Sequence, residues 1–222
     1  MYLGAGGGLG GDAADRVAGF WRAIGVDPPA EPDHLTSLLS LYATLGEDRS
    51  LDHVRQALFW EHLWPWVPGY LGAVTDVGDP ALGTWASLIM RVVEEERAGL
   101  PAGSPLPAAL RDAPAPLTGD EDLRDLLDAL VAPVRSGMLL TRRALARGAG
   151  QAKAGHRIGE RRFTLRAMLE QEPEGTRSWL AGEADRWSAR WSALWSARHA
   201  AADPVLQWWA DRAAATAAAL RS

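Results

Sequence analysis

The chain has 222 residues, long enough to bury a sizeable core, and its 47% hydrophobic and 23% charged residues are ordinary for a globular protein. It contains no cysteine, which excludes disulfides, thiolate zinc sites and cysteine nucleophiles. The net charge of −5 is uneven: residues 1–135 carry 20 acidic and 9 basic side chains, and residues 136–222 carry 8 acidic and 14 basic ones. The N-terminus lacks the pattern of a secretory signal peptide, and no stretch approaches about 18 apolar residues, so we expect a cytoplasmic protein without a membrane span.

Helix signals recur along residues 1–98, the predicted N-terminal helical part. Asp12 can cap a first helix, which Gly25 ends. The prolines of the following segment, VDPPAEP, lack amide donors and exclude a helix there. Asp33 is a suitable N-cap for a second helix, which stops at Gly46. Further helices are predicted at about 51–64, through 70–74, and at 80–98, with Leu82, Trp85, Ile89 and Val93 near one face.

Residues 99–118 hold five prolines and are predicted to be a linker or hinge before the C-terminal helical part, residues 119–222. Thr118 or Asp120 is expected to cap the next helix, and later helices are predicted at about 136–148, 157–171, 176–201 and 204–221. The spacing of Trp187, Trp191 and Trp195 places three indoles on one helix face. No stretch alternates with period two, so the predicted fold is all-α, a single bundle of roughly nine or ten helices.

The sequence offers little for catalysis. The glycine-rich residues 4–11 lack the Gly-Lys-Ser/Thr ending of a phosphate loop, and a flexible tail is the better interpretation. No two of the five histidines are spaced as paired ligands with a third ligand in view, and no Ser-His-Asp set is visible. We therefore expect no metal, no cofactor and no enzymatic activity.

Two short segments combine polar and aromatic residues in an unusual way. Residues 31–35 (EPDHL) lie where a linker meets a helix, and residues 61–66 (EHLWPW) lie at a helix end. Helix capping accounts for part of the first segment, and buried tryptophans beside a satisfied histidine would account for the second. Indoles near a chain break are also suitable walls for a peptide groove.

The pair of segments resembles the signature of the TorD/DmsD/NarJ family, chaperones of molybdenum-containing enzymes. EPDHL is followed by a helix and then by HLxxW, at residues 62–66. The resemblance covers about residues 15–98 and, more loosely, 123–185, where PVRSG (133–137), residues 142–147 and residues 159–162 are similar to a C-terminal extension of some members. Only about 30 residues precede the Asp-His motif, so the family's N-terminal helices are expected to be shortened here.

The resemblance implies a cytoplasmic, cofactor-free chaperone that binds the twin-arginine leader of a molybdoenzyme's catalytic subunit until its cofactor is inserted. Carboxylates would meet the leader's arginine pair, His34 would bind peptide backbone or hold a hinge, and aromatic rings would pack on the apolar segment. The acidic N-terminal part predicts salt-sensitive binding. The residues expected to bind peptide are Glu31, Pro32, Asp33, His34, His62, Trp64, Trp66 and Tyr70. Monomer and domain-swapped dimer, with 99–118 as the hinge, both remain open.

A different class of function is the main alternative. Residues 138–166 can be interpreted as a basic helix-turn-helix of a DNA-binding regulator. The intervening turn is longer than the usual three or four residues, and most of the remaining chain is acidic. A tryptophan-rich scaffold without peptide binding is the third interpretation.

Overall fold

The computed structural model describes residues 11–101, 106–155, 159–196 and 203–222, with side chains to residue 194 in the third range. In these ranges the chain is helical throughout and forms no strand, which confirms the all-α prediction. They contain twelve α-helices rather than nine or ten. The excess includes two helices of four residues, Ala108–Arg111 and Pro133–Ser136, which are too short to carry a periodic apolar pattern. The glycine-rich residues 4–10 lie outside the described part.

The chain divides into two compact units between Asp112 and Ala113, within the proline-rich segment. A hinge role for this segment stays a prediction. The first unit contains α1 (Asp12–Ala23), α2 (Leu35–Leu45), α3 (Asp52–Leu58), a π-helical segment (Phe59–Leu63), α4 (Val67–Thr75), α5 (Pro80–Gly99) and α6 (Ala108–Arg111). The second contains α7 (Leu123–Val131), α8 (Pro133–Ser136), α9 (Arg142–Ala152), α10 (Arg161–Gln171), α11 (Pro173–Ser196) and α12 (Pro204–Arg221).

A polar cluster joins three helices of the first unit beside its apolar core. The Tyr42 hydroxyl of α2 donates to a Glu96 carboxylate oxygen of α5 at 2.8 Å, and Arg55 of α3 donates to the same oxygen at 2.6 Å. The Arg55 guanidinium also lies 4.2 Å from the centre of the Tyr42 ring. Burial, and then the bond to Glu96, raises the pKa of Tyr42, so the hydroxyl remains a donor.

Stacked indoles form the centre of the second unit. Trp187 and Trp191 of α11 are both almost fully buried with ring centres 5.7 Å apart, as their spacing predicts, and Trp209 of α12 lies 5.3 Å beyond Trp191. The side chain of Trp195 lies outside the described part. The Trp191 indole donates to the carbonyl of Gly137 at 3.1 Å, which ties the end of α8 to this core.

Candidate functional site

A cavity of about 820 Å³ opens in the first unit between α1, the loop before α2, the π-helical segment and α4. It is bounded by seven of the eight residues that the sequence singles out for peptide binding. These residues are Glu31, Pro32, Asp33, His34, His62, Trp66 and Tyr70. Segments separated by about 30 residues in the chain therefore meet at one site.

The loop before α2 forms a turn whose last residue is the helix cap. The amide of His34 bonds to the carbonyl of Glu31 at 3.2 Å, and the Nδ1 atom of His34 accepts the amide of Thr36 at 3.3 Å. The prediction that Asp33 is the N-cap is therefore wrong: the extended backbone of a cap is found at His34, one residue later. Asp33 instead lies within the turn, half-buried at the cavity.

The second predicted segment lies on a π-helical turn, which is a rare feature often found at functional sites. The amide of Trp64 bonds five residues back to Phe59 at 2.8 Å. The carbonyl of His62 receives the indole N–H of Trp66 at 2.7 Å, while the Trp66 amide bonds to Leu63. A side chain thus supplies the donor that an α-helix would take from the backbone, and His62 and Trp66 are fixed together at the cavity.

Trp64 is the predicted site residue that the structure does not bring to the cavity. Its side chain is 1% exposed and belongs to the core of the first unit. It stacks on Phe59, with ring centres 6.0 Å apart, and lies under the Arg97 guanidinium at 5.0 Å. A ring buried in this way offers no surface to a ligand.

Helix α1 supplies cavity residues that the sequence analysis did not assign to the site. Arg16 and Phe20 both line it, and the Phe20 ring meets the His62 ring edge-on at 5.1 Å between centres. Their i, i+4 spacing places them on one helix face, beside the buried Val17. That spacing was visible in the sequence, but their proximity to His62 was not.

The cavity is apolar inside and carries more negative than positive charge. Its ionisable residues are three carboxylates, Glu31, Asp33 and Glu61, and one guanidinium, Arg16, beside two histidines. Glu61 is engaged, because its Oε2 atom accepts the amide of Ala108 at 2.8 Å. Glu31 is exposed, and no described residue forms a hydrogen bond or ion pair with its carboxylate. The arrangement suits a ligand that is apolar along part of its length and cationic at one end.

His62 is neutral in this site. Burial, and secondarily the charge of Arg16, lowers its pKa to about 4. Its ring therefore contributes a flat, uncharged surface next to Phe20 at neutral pH.

The low pKa of His62 predicts an acid-dependent loss of stability. An unfolded imidazole binds a proton below about pH 6.5, whereas folded His62 does so only near pH 4, so the free energy of unfolding should fall as the pH drops through this window. The loss from this residue is at most about 3 kcal/mol. Urea denaturation of the wild type and His62→Gln at pH 7, 5.5 and 4 measures it, with the variant expected to lose less. Parallel curves for the two proteins would contradict the burial of a neutral His62.

The basic segment 138–166 is largely engaged in ion pairs within the second unit. Arg147 pairs with Glu183 at 3.0 Å, Arg162 with Asp128 at 2.7 Å and Arg166 with Glu170 at 2.8 Å. Residues 156–158 of this segment lie outside the described part. Eight residues separate α9 from α10, and no observation favours a DNA-reading helix.

Comparison with protein-family models, curated proteins and solved structures finds no match to this chain. The resemblance to the TorD/DmsD/NarJ family therefore rests on the residues that carry it. In the described part of the chain, no group of three His, Asp or Glu side chains is placed to hold a metal ion. No helix there is long and apolar enough to cross a membrane.

Proposed function

We propose that the chain is a cytoplasmic chaperone that binds the twin-arginine leader of a molybdopterin-containing oxidoreductase subunit and assists cofactor insertion before export. The cavity of the first unit carries this proposal, because it unites the two segments on which the family resemblance rests. A twin-arginine leader presents two adjacent guanidinium groups followed by an apolar segment. An apolar cavity with exposed carboxylate at its edge matches that order of chemistry.

Glu31 is the principal partner proposed for the arginine pair. Its carboxylate is exposed at the cavity and is not committed to any described residue, so it can accept a bidentate guanidinium. Asp33, two residues later, adds negative charge at the same edge. Since Glu61 already accepts an amide of α6, it contributes field rather than a free acceptor.

The charge of Arg16 gives the bound peptide a direction. Arg16 lies close enough to His62 to help lower that residue's pKa, and it would repel a second guanidinium. The leader's arginines therefore belong at the Glu31 edge, and its apolar segment belongs against Phe20, His62 and Tyr70. The half-buried Tyr70 ring meets Trp66 edge-on at 5.7 Å, which holds this wall in place.

His34 offers a donor to peptide backbone at the same edge. Because its Nδ1 atom accepts the amide of Thr36, the proton of a neutral ring is on Nε2. His34 is exposed and lines the cavity, so that N–H can reach a peptide carbonyl. Its capping bond fixes the ring for this contact.

Removal of the Glu31 carboxylate is expected to weaken leader binding by about tenfold or more, the value of one charge-assisted hydrogen-bonded contact. Fluorescence anisotropy of a labelled leader measures the affinity of Glu31→Gln against that of the matched control Glu47→Gln. Glu47 is also an exposed glutamate of the first unit, but it does not line the cavity, so both variants change the net charge equally. Equal affinities for the two variants, with both folded by circular dichroism, would contradict the proposed site.

The client is tested separately from the leader. The proposal predicts that a leader-bearing precursor of a molybdoenzyme subunit is retained on the immobilised protein, and that the same subunit without its leader is retained less. Equal retention of both forms would place recognition outside the leader.

A further inference from the structure

Two arginines of the second unit lie side by side, away from any role in the proposed leader site. Arg135 is on α8, and Arg212 is on α12. The two helices touch at this level, because a Cβ atom added to Gly137 would lie 2.4 Å from the amide nitrogen of Ala213. Burial, and then the positive charge of Arg135, lowers the pKa of Arg212.

Neither guanidinium has an acidic partner in the described part of the chain. Arg212 donates to the carbonyl of Pro114 at 2.5 Å and lies 4.5 Å from the ring centre of Trp208, both uncharged groups. The Nε atom of Arg135 is buried without an acceptor. The ion pairs of this unit are formed by other arginines, namely Arg147, Arg162, Arg166, Arg186 and Arg221. The segments outside the described part contain no aspartate or glutamate.

Like charges at close range, both half-buried, are unfavourable unless an anion lies between them. Each guanidinium carries five N–H donors, of which Arg212 uses one on Pro114 and the Nε donor of Arg135 has no protein acceptor. The Trp208 ring and the Pro114 carbonyl hold Arg212 in place, while the approach of Gly137 to Ala213 holds α8. This is an ordered pair of donors with a charge of two.

We propose that Arg135 and Arg212 form a binding site for a small phosphate-class dianion. A tetrahedral dianion balances both charges and accepts hydrogen bonds from two guanidinium groups at once. The site lies on the second unit and does not depend on the proposed binding of a leader to the first.

Phosphorus-31 NMR of inorganic phosphate with the full-length protein at constant ionic strength tests the site directly. We expect saturable line broadening with the wild type and with Arg124→Met, a matched substitution of an exposed arginine on α7. Arg135→Met and Arg212→Lys are expected to weaken the apparent affinity by at least about tenfold. Broadening that is absent in the wild type, or that is the same in all four proteins, would overturn the proposal.

A thermal melt separates a ligand site from a structural role. Without phosphate at low salt, Arg135→Met is expected to melt at or above the wild-type temperature, since one repulsive charge is gone. With saturating phosphate the order should reverse, because the anion stabilises only the wild type. A variant that melts lower in both conditions by the same margin would show that Arg135 has a packing role alone. Acetate that competes as well as sulfate would overturn selectivity for a dianion.

Discussion

Gly137→Ala is expected to destabilise the protein by at least about 3 kcal/mol. Gly137 has φ of 72°, a conformation that costs an alanine about 1 kcal/mol or more. Its added Cβ atom would lie 2.4 Å from the Ala213 amide nitrogen and 2.7 Å from the Ala213 Cα atom, which are backbone atoms of α12. The chain cannot turn away easily, because the Gly137 carbonyl is held by the indole of Trp191.

Urea denaturation of Gly137→Ala and of the control Gly182→Ala provides the measurement. Gly182 lies within α11, and a Cβ atom there meets no other atom within 4 Å. Alanine at that position should be neutral or stabilise the helix by up to about 1 kcal/mol. A midpoint for Gly137→Ala equal to that of the wild type would contradict the close contact between α8 and α12.

Replacement of both Arg147 and Arg186 by methionine is expected to cost about 3–5 kcal/mol at pH 7, since it leaves the carboxylate of Glu183 buried without a cation. Glu183 is 4% exposed, and it accepts from Arg147 at 3.0 Å and from Arg186 at 2.5 Å. Burial alone would raise the pKa of Glu183, but the bonds and charge of the two arginines outweigh it and lower the pKa below its usual range.

The pH dependence identifies the buried carboxylate. In the wild type a lowered pKa stabilises the fold above the unfolded pKa near 4.5, and this contribution is lost as the pH falls through the folded value. In the double variant only burial remains, so the pKa is raised and acid neutralises the unpaired charge. The stability difference between the two proteins should therefore shrink from pH 7 to pH 4. Arg166→Met, which removes an exposed pair with Glu170, should cost under about 1 kcal/mol and serves as the control.

Helix content was predictable from the sequence, but the buried faces were less so. Val93 of α5 is 4% exposed, as its apolar spacing predicts, whereas Leu82 and Trp85 on the predicted face are 45% and 39% exposed. Apolar spacing defines a stripe on a helix, but the neighbouring helices decide which edge of that stripe is covered. Helix starts shifted for a similar reason: α7 is capped by Asp122, whose side chain accepts the amide of Asp125, rather than by Thr118 or Asp120.

The candidate site was predictable to the extent that its residues lie in two short segments. The fates of Trp64 and Trp66 were not, because they depend on the π-helical turn and on the indole bond of Trp66 to the carbonyl of His62. The contribution of α1 was missed because contact between Phe20 and His62 joins residues far apart in the chain, and one helix's periodicity carries no information about its partner.

Calorimetric titration of the folded protein with a twin-arginine leader, and with the same peptide carrying two lysines instead, tests the central claim most directly. The two peptides have equal charge, but lysine lacks the planar donor pair that a carboxylate such as Glu31 binds at two points. We expect the arginine peptide to bind, with affinity that falls as salt rises, and the lysine peptide to bind at least about tenfold more weakly. Equal affinity for the two peptides, or no binding of either by the folded protein, would contradict the assignment of this cavity to twin-arginine leaders.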